Sequence, residues 1–176
     1  GTCAAGGTPG VEAAHAAADN SAHITPALAG RTLVTFIRVV LMAVSNKLGS
    51  MLLTTGNKSE MGVGYATIYG DMNGGYNPLK DMFKMEVYRL AAWRNAHVPG
   101  DCLGPASEVI PQNIIAKAPS AELRPNQTDQ DSLPPYPVLD AILTAMVEEE
   151  KSIAEIVAQG HDEALVQRIE RLLNIA

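Results

Sequence analysis

Apolar residues recur at three- and four-residue spacing along several segments of the chain, the pattern typical of amphipathic helices. In the segment 32–48 the recurring positions are Leu33, Ile37, Val40, Leu41, Val44 and Leu48. Lys47 falls in the last turn of this segment and Gly49 follows it, as expected at a helix C-terminus. The pattern predicts a helix that ends at Leu48.

Further helices are predicted downstream. The segment 84–95 would turn Val87, Leu90, Ala91 and Trp93 inward, and 111–117 has room for one or two helical turns. The segment 138–149 places four apolar side chains on one face, those of Leu139, Ile142, Leu143 and Met146. Ser152 and Glu155 have the spacing of a capping box, so a helix starts there and ends at Gly160. The segment 162–173 forms the last predicted helix.

A short apolar run at 51–54 lies between the first predicted helix and a glycine-containing loop, which predicts a buried parallel strand. A helix followed by a strand and a polar loop indicates an α/β fold with a parallel sheet, here with a helical C-terminal tail. Residues 1–30 hold ten alanines and five glycines but no lysine or arginine. We expect them to be loop or disordered, with at most a short helix at 12–18, and residues 31–176 to form the domain.

Composition narrows the function classes. Apolar residues make up 47% and charged residues 18%, as in globular domains. A net charge of -6 disfavours nucleic-acid binding, and acidic residues on the last helix disfavour a helix-turn-helix DNA reader. The two cysteines, Cys3 and Cys102, predict neither a zinc site nor a disulfide framework. The cysteine usage makes a reducing cytoplasm the expected location. No membrane partner is expected, because no apolar run approaches about 20 residues.

Candidate chemistry begins in the loop at 54–60, with the sequence TTGNKSE. Ligands of open α/β sheets bind beyond the carboxyl ends of the strands. There Thr55 offers a hydroxyl, Gly56 allows close backbone approach, Asn57 offers an amide and Glu60 a carboxylate suited to Mg²⁺. The alternative is a capped turn between a strand and a helix.

Three later residues are weaker candidates taken singly. Asp71 would accept hydrogen bonds from a ribose, an amide or a metal-bound water, or it starts a turn. Lys84 opens a predicted helix, where its charge is favourable if a phosphate lies at the helix N-terminus; otherwise it is a solvated lysine. Ser120 would contact a phosphate or cap a turn. HExxH, GxSxG and P-loop motifs do not occur in the sequence.

Taken together, these stretches resemble one family. The segment 45–173 is similar to the synthetase domain of glutamine-dependent NAD synthetases, through five stretches that occur in the family's order. They are SNKLGSMLLTTGNKSE (45–60), GYATIYGDMNGGYNPLKDMFK (64–84), VYRLAAWRN (87–95), IPQNIIAKAPSAELRPNQ (110–127) and DSLPPYPVLDAIL (131–143).

The resemblance implies a Rossmann-like parallel sheet flanked by helices, of the adenine-nucleotide α-hydrolase type. It also implies a reaction, in which ATP adenylates deamido-NAD and ammonia then converts the adenylate to NAD. In that comparison Thr55, Lys84 and Ser120 fall on ATP-binding positions, with Lys84 the catalytic cation. Glu60 and Asp71 fall on deamido-NAD positions, and Glu60 is also the Mg²⁺ ligand.

The resemblance also implies partners, and this sequence differs from the family pattern at two points. It implies small-molecule substrates, a homodimer and a glutaminase domain in the full-length protein. The family's phosphate loop, SGGxDS, does not occur in this sequence, and Arg31 stands where the family places a substrate-binding asparagine. The alternative hypothesis is therefore a non-catalytic nucleotide-binding or dimerisation remnant.

Overall fold

The structure, a computed structural model, describes residues 26–66, 72–101, 104–105, 107–120 and 128–176, with the backbone alone at 26–35 and 38. Helices dominate the described ranges. In chain order they are α1 (Pro26–Leu48), α2 (Lys58–Gly62), α3 (Lys84–Ala96), α4 (Gln112–Ala116), α5 (Tyr136–Leu143), α6 (Ile153–Ala158) and α7 (Glu163–Ile175). A 3-10 turn at Asp129–Asp131 precedes α5, and a π-helical turn at Thr144–Glu148 continues it.

The predicted helices are confirmed, with changes at their ends. Helix α1 ends at Leu48 as expected, and Gly49 follows it with a φ of 65°. It begins at Pro26, six residues before the predicted start at Thr32, so the last five residues of the segment 1–30 are helical. Residues 1–25, with the short helix predicted at 12–18, lie outside the described ranges, as does Cys102.

Helix α3 departs from its predicted orientation. None of its side chains is fully buried, and Leu90 and Trp93 are 44% and 47% exposed, so the inward orientation expected of these two residues was wrong within this chain. Its apolar residues are spread around the axis. Spacing alone therefore could not indicate which side contacts the core.

The predicted strand at 51–54 is reduced to one parallel bridge between Leu53 and Tyr76 among the described residues. The Thr54 amide donates to the Tyr76 carbonyl over 2.9 Å, and the Gly75 amide donates to the Leu52 carbonyl over 2.8 Å. Met51 and Leu53 are mostly exposed, so the expectation of a buried strand was wrong here. The pairing still fixes where the following loop begins.

The hydrophobic core lies around α5, which packs against α2, α3 and α7. Its fully buried side chains come from α5, α6 and α7: Leu139, Ile142, Leu143, Ile156, Val166 and Ile169. The apolar face predicted for 138–149 is confirmed, since three of its four members are buried and Met146 packs against them. This core supports one side of the candidate site.

Helix α6 begins and ends as the sequence predicts, and α7 begins one residue later and ends two residues later than predicted. The Ser152 amide donates to the Glu155 carboxylate over 2.8 Å, which completes the predicted capping box at the start of α6. Gly160 follows the end of α6 with a φ of 99°, a conformation that glycine tolerates best. Within the described ranges, no helix combines the length and the apolar character needed to cross a bilayer.

Candidate functional site

The site begins where the bridge at Leu53 gives way to α2. Asn57 is buried and caps the helix: its side chain accepts from the Glu60 amide over 3.0 Å, and the Glu60 carboxylate accepts from the Asn57 amide over 3.4 Å. Asn77 donates to the Gly56 carbonyl over 2.8 Å and so ties the glycine-rich connection to this loop. The capped turn offered as the alternative is thus present, and it orients Glu60.

Lys84 lies at the first position of α3, and its ammonium is 2.6 Å from Oε1 of Glu60. Both side chains are largely buried, at 19% and 16% exposure. The same ammonium lies 5.2 Å from the centre of the Tyr136 ring, within the range of a cation–π interaction. Lys84 is therefore held between a carboxylate and an aromatic face, which restricts the directions it can take.

A buried carboxylate joins the helices beneath this pair. Ser59 donates to Oδ1 of Asp140 over 2.5 Å, and the Met85 amide donates to Oδ2 over 2.8 Å. Ser59 in turn accepts from the Lys84 amide over 2.8 Å. Burial raises the pKa of Asp140 above its ordinary value, and the hydrogen bonds from Ser59 and Met85 act against that rise.

A second buried carboxylate lies beyond Tyr136. The Tyr136 hydroxyl donates to Oδ2 of Asp129 over 2.7 Å, and desolvation by burial, reinforced by that bond, raises the pKa of Tyr136. The Asp129 amide donates to the Pro119 carbonyl over 2.9 Å. Asp129 thus connects the segment that ends at Ser120 with the aromatic ring beside Lys84.

The structure brings two of the five predicted site residues, Glu60 and Lys84, into direct contact. Thr55 is exposed in the loop just before the Asn57 cap. Ser120 is half-buried and adjoins Pro119. Asp71 lies outside the described residues.

Sequence reasoning missed the residues that hold the pair: Ser59, Asp129, Tyr136 and Asp140. One signal for Asp140 was present. Tyr136, Leu139, Asp140 and Leu143 follow the i, i+3, i+4, i+7 pattern of one helix face, so a carboxylate occupies a position on the apolar stripe. A charged group there is almost always buried with partners, which marks it as structurally important.

Glu60 is the carboxylate that would hold Mg²⁺. Among the described residues, no group of three or more His, Cys, Asp or Glu side chains could hold a metal ion. Mg²⁺ usually takes one or two protein carboxylates together with substrate phosphates and water. A single carboxylate such as Glu60 therefore fits an ion that arrives with a nucleotide.

Comparison with known proteins identifies the fold and the family of this chain. The solved structure of NMN synthetase from Francisella tularensis matches 93% of this chain and 57% of its own, with a TM-score of 0.63 at 24% identity. That likeness shows the fold, which is of the adenine-nucleotide α-hydrolase type. The family model described as NAD synthase matches residues 12–175.

Curated relatives agree with that family model. A glutamine-dependent NAD(+) synthetase of Rhodobacter capsulatus is 64% identical over 138 residues, which are 78% of this chain and 25% of the relative. A protein of the same name from Xanthomonas campestris pv. campestris is 58% identical over 137 residues, 78% of this chain and 24% of its own. The chain belongs to the NAD synthase family, and it spans about a quarter of the length of these relatives. The resemblance predicted from the sequence is confirmed.

Proposed function

We propose that the intact protein carrying this chain forms NAD from deamido-NAD, ATP and ammonia. The observation that carries the proposal is the contact between Lys84 and Glu60, 2.6 Å apart and largely buried, within a chain of the NAD synthase family. A lysine side chain is rarely this buried unless it is paired with another group. At the first position of a 13-residue helix, Lys84 adds its charge to the positive end of the helix dipole, which favours an anion.

The chemistry proceeds in two displacements. A carboxylate oxygen of deamido-NAD attacks the α-phosphorus of ATP, and the bond to pyrophosphate breaks with its electron pair leaving on pyrophosphate. Ammonia then attacks the acyl carbon, the bond to AMP breaks, and the nitrogen loses a proton. Negative charge grows on the leaving phosphates in the first step, where the Lys84 ammonium would stabilise it.

The remaining predicted residues have supporting roles in this proposal. Thr55 and Ser120 would hydrogen-bond ATP, and Asp71 with Glu60 would hold deamido-NAD. Mg²⁺, held by Glu60 and the phosphates, would neutralise charge on pyrophosphate. Since Lys84 already contacts one oxygen of Glu60, it would move toward the phosphates when the nucleotide binds.

The proposal extends to the assembly. The relatives are named glutamine-dependent synthetases, so a glutaminase domain would supply the ammonia. We propose as well that the Leu53–Tyr76 bridge belongs to the edge of a Rossmann-like parallel sheet, that the protein is a cytoplasmic homodimer, and that its substrates are small molecules rather than nucleic acids.

The test is to supply the intact protein with deamido-NAD, ATP, Mg²⁺ and ammonia and to measure NAD. Lys84→Ala should lower turnover by about two orders of magnitude or more, as removal of a charge-stabilising donor does in other enzymes. A folded wild-type protein that makes no NAD would sink the proposal. ATP binding without turnover would favour the non-catalytic alternative.

A further inference from the structure

Asp140 joins three helices at one point. Its Oδ1 accepts from Ser59 of α2 over 2.5 Å, and its Oδ2 accepts from the Met85 amide of α3 over 2.8 Å. Ser59 also accepts from the Lys84 amide over 2.8 Å. Asp140 itself lies on α5 and is 7% exposed, so these bonds form in the interior.

These contacts replace a missing helix cap. The first amides of an α-helix have no acceptor within the helix, and a side chain at the N-cap position usually supplies one. The N-cap of α3 is Phe83, which has no side-chain acceptor. Ser59 and Asp140 accept from the first two amides instead. Helices α2 and α5 therefore fix where α3 starts along its axis and how it is rotated about that axis.

The same contacts set the spacing of the charged pair. Ser59 and Glu60 are neighbours on α2, and Lys84 and Met85 are neighbours on α3. A bond between Ser59 and the Lys84 backbone therefore also places the Lys84 side chain beside Glu60. Moving the start of α3 by about 1 Å would shift the ammonium by a comparable distance, enough to cost about 10²-fold in rate at a reacting centre.

Stability alone is a poor explanation for a carboxylate at this point. Burial raises the pKa of Asp140, which means that the folded protein disfavours its charge. Well-packed apolar side chains often stabilise a buried position as well as a charged network does. Unlike an apolar side chain, a network with two fixed acceptors gives a defined direction to the first two amides of α3.

We propose that Asp140 is a positioning residue for Lys84, acting with Ser59 to hold the start of α3 so that the Lys84 ammonium lies beside the Glu60 carboxylate, within reach of the phosphates, before the nucleotide binds. Asp140 does not touch the reacting atoms. The proposal rests on the proposed function for its main readout, turnover, and it adds a role for two residues outside the substrate contacts.

A double-mutant cycle on the intact protein tests it. Asp140→Asn and Lys84→Ala are made singly and together, and kcat and KM for ATP are measured with ammonia as the nitrogen source. Asp140→Asn should lower kcat about 10- to 100-fold in the wild-type background. In the Lys84→Ala background it should lower kcat less than about twofold, because residues that act as a unit are not additive. An equal loss in both backgrounds, or no loss in either, overturns the proposal.

Matched variants separate positioning from general loss of stability. Ser59→Ala removes the linking hydroxyl and should show the same dependence on Lys84, so it replaces Asp140→Asn if that variant does not fold. Ser152→Ala removes a hydroxyl of equal size that caps α6, away from the pair. It should lower the free energy of unfolding by about 1 kcal/mol and leave kcat unchanged. A loss of kcat in Ser152→Ala as large as in Ser59→Ala counts against positioning.

The cycle has a second readout that does not need turnover. The Kd of ATP with Mg²⁺, measured by calorimetry on the same four proteins, should rise with Asp140→Asn only where Lys84 is present. This readout decides the matter if Lys84→Ala has no measurable turnover. It also tests the role of Asp140 if folded wild-type protein makes no NAD. That outcome would rule out the proposed function, but it would leave the positioning role of Asp140 open to this measurement.

Discussion

The ammonium of Lys84 lies 2.6 Å from Oε1 of Glu60, although 23 residues separate the two in the sequence. Glu60 is fixed by the capping box of α2, and Lys84 by the hydrogen bond from its own amide to Ser59. Each partner is thus oriented through the start of a helix. The pair is therefore sensitive to changes at the start of either helix.

Glu60→Gln should weaken both stability and turnover. The change keeps the shape of the side chain but leaves the Lys84 ammonium without its carboxylate, and breaking a largely buried pair costs up to about 3 kcal/mol. Urea unfolding measures the free energy, and NAD formation measures turnover.

Asp81→Asn is the matched control for Glu60→Gln, because it breaks another lysine–carboxylate pair. Lys58 and Asp81 lie 2.9 Å apart, but the Asp81 side chain is 93% exposed. Water screens that pair, so little change in stability is expected. If both substitutions had equal effects, the burial of the Lys84–Glu60 pair would not be the reason for its importance.

Gly74→Ala should disturb the loop that carries Thr55. A Cβ at Gly74 would lie 2.5 Å from Cγ2 of Thr54 and 2.9 Å from the Leu52 carbonyl oxygen, so the bridge at Leu53 must shift. We expect a loss of about 1–3 kcal/mol, as for other overpacked positions, together with a rise in KM for ATP.

Gly100→Ala provides the comparison for Gly74→Ala. A Cβ there meets nothing within 4 Å. The free energy of unfolding should stay the same or rise by about 0.4–1 kcal/mol, since alanine restricts the unfolded chain. Thermal unfolding of the two variants side by side distinguishes a steric effect from a general effect of losing glycine, which would lower both melting temperatures.

Ile142→Ala should destabilise the support beneath the site. Ile142 is 0% exposed on α5, and truncating a buried isoleucine costs about 2–5 kcal/mol, partly through the cavity it leaves. Ile175→Ala, at the exposed end of α7, should change stability by less than about 0.5 kcal/mol. Urea midpoints of the two variants check the difference, and equal midpoints would contradict the core described around α5.

Asp140 should make stability depend on pH in a defined direction. Burial raises its pKa above the ordinary 3.8, so the folded protein holds this proton more tightly than the unfolded chain does. The contribution of the group to stability is greatest below pH 3.8 and falls as pH rises through the folded pKa. The wild type should therefore lose stability relative to Asp140→Asn as pH rises from about 4, and then level off.

Urea unfolding of the wild type and Asp140→Asn at a series of pH values measures that difference. Groups other than Asp140 titrate alike in both proteins, so they cancel. A difference that grows in favour of the wild type with rising pH would mean that the hydrogen bonds from Ser59 and Met85 outweigh burial.

Local features of the fold followed from the sequence alone. The capping box at Ser152 and the glycines at positions 49 and 160 act through neighbouring residues, so their spacing was sufficient to predict helix ends. The apolar face of α5 was predictable because it repeats with the helix period. The order of the motifs also identifies the family, and the resemblance marks Glu60 and Lys84 as candidate site residues without indicating that they touch.

Only the tertiary structure decided which side chains meet. Helix α3 has apolar residues around its axis, so no period indicated that its first two amides would bond to Ser59 and Asp140. The Leu53–Tyr76 bridge and the Asp140 network join residues 23 to 81 positions apart. Such pairings depend on how the helices pack and on which buried polar groups need hydrogen-bond partners. The spacing of residues along the chain predicts neither.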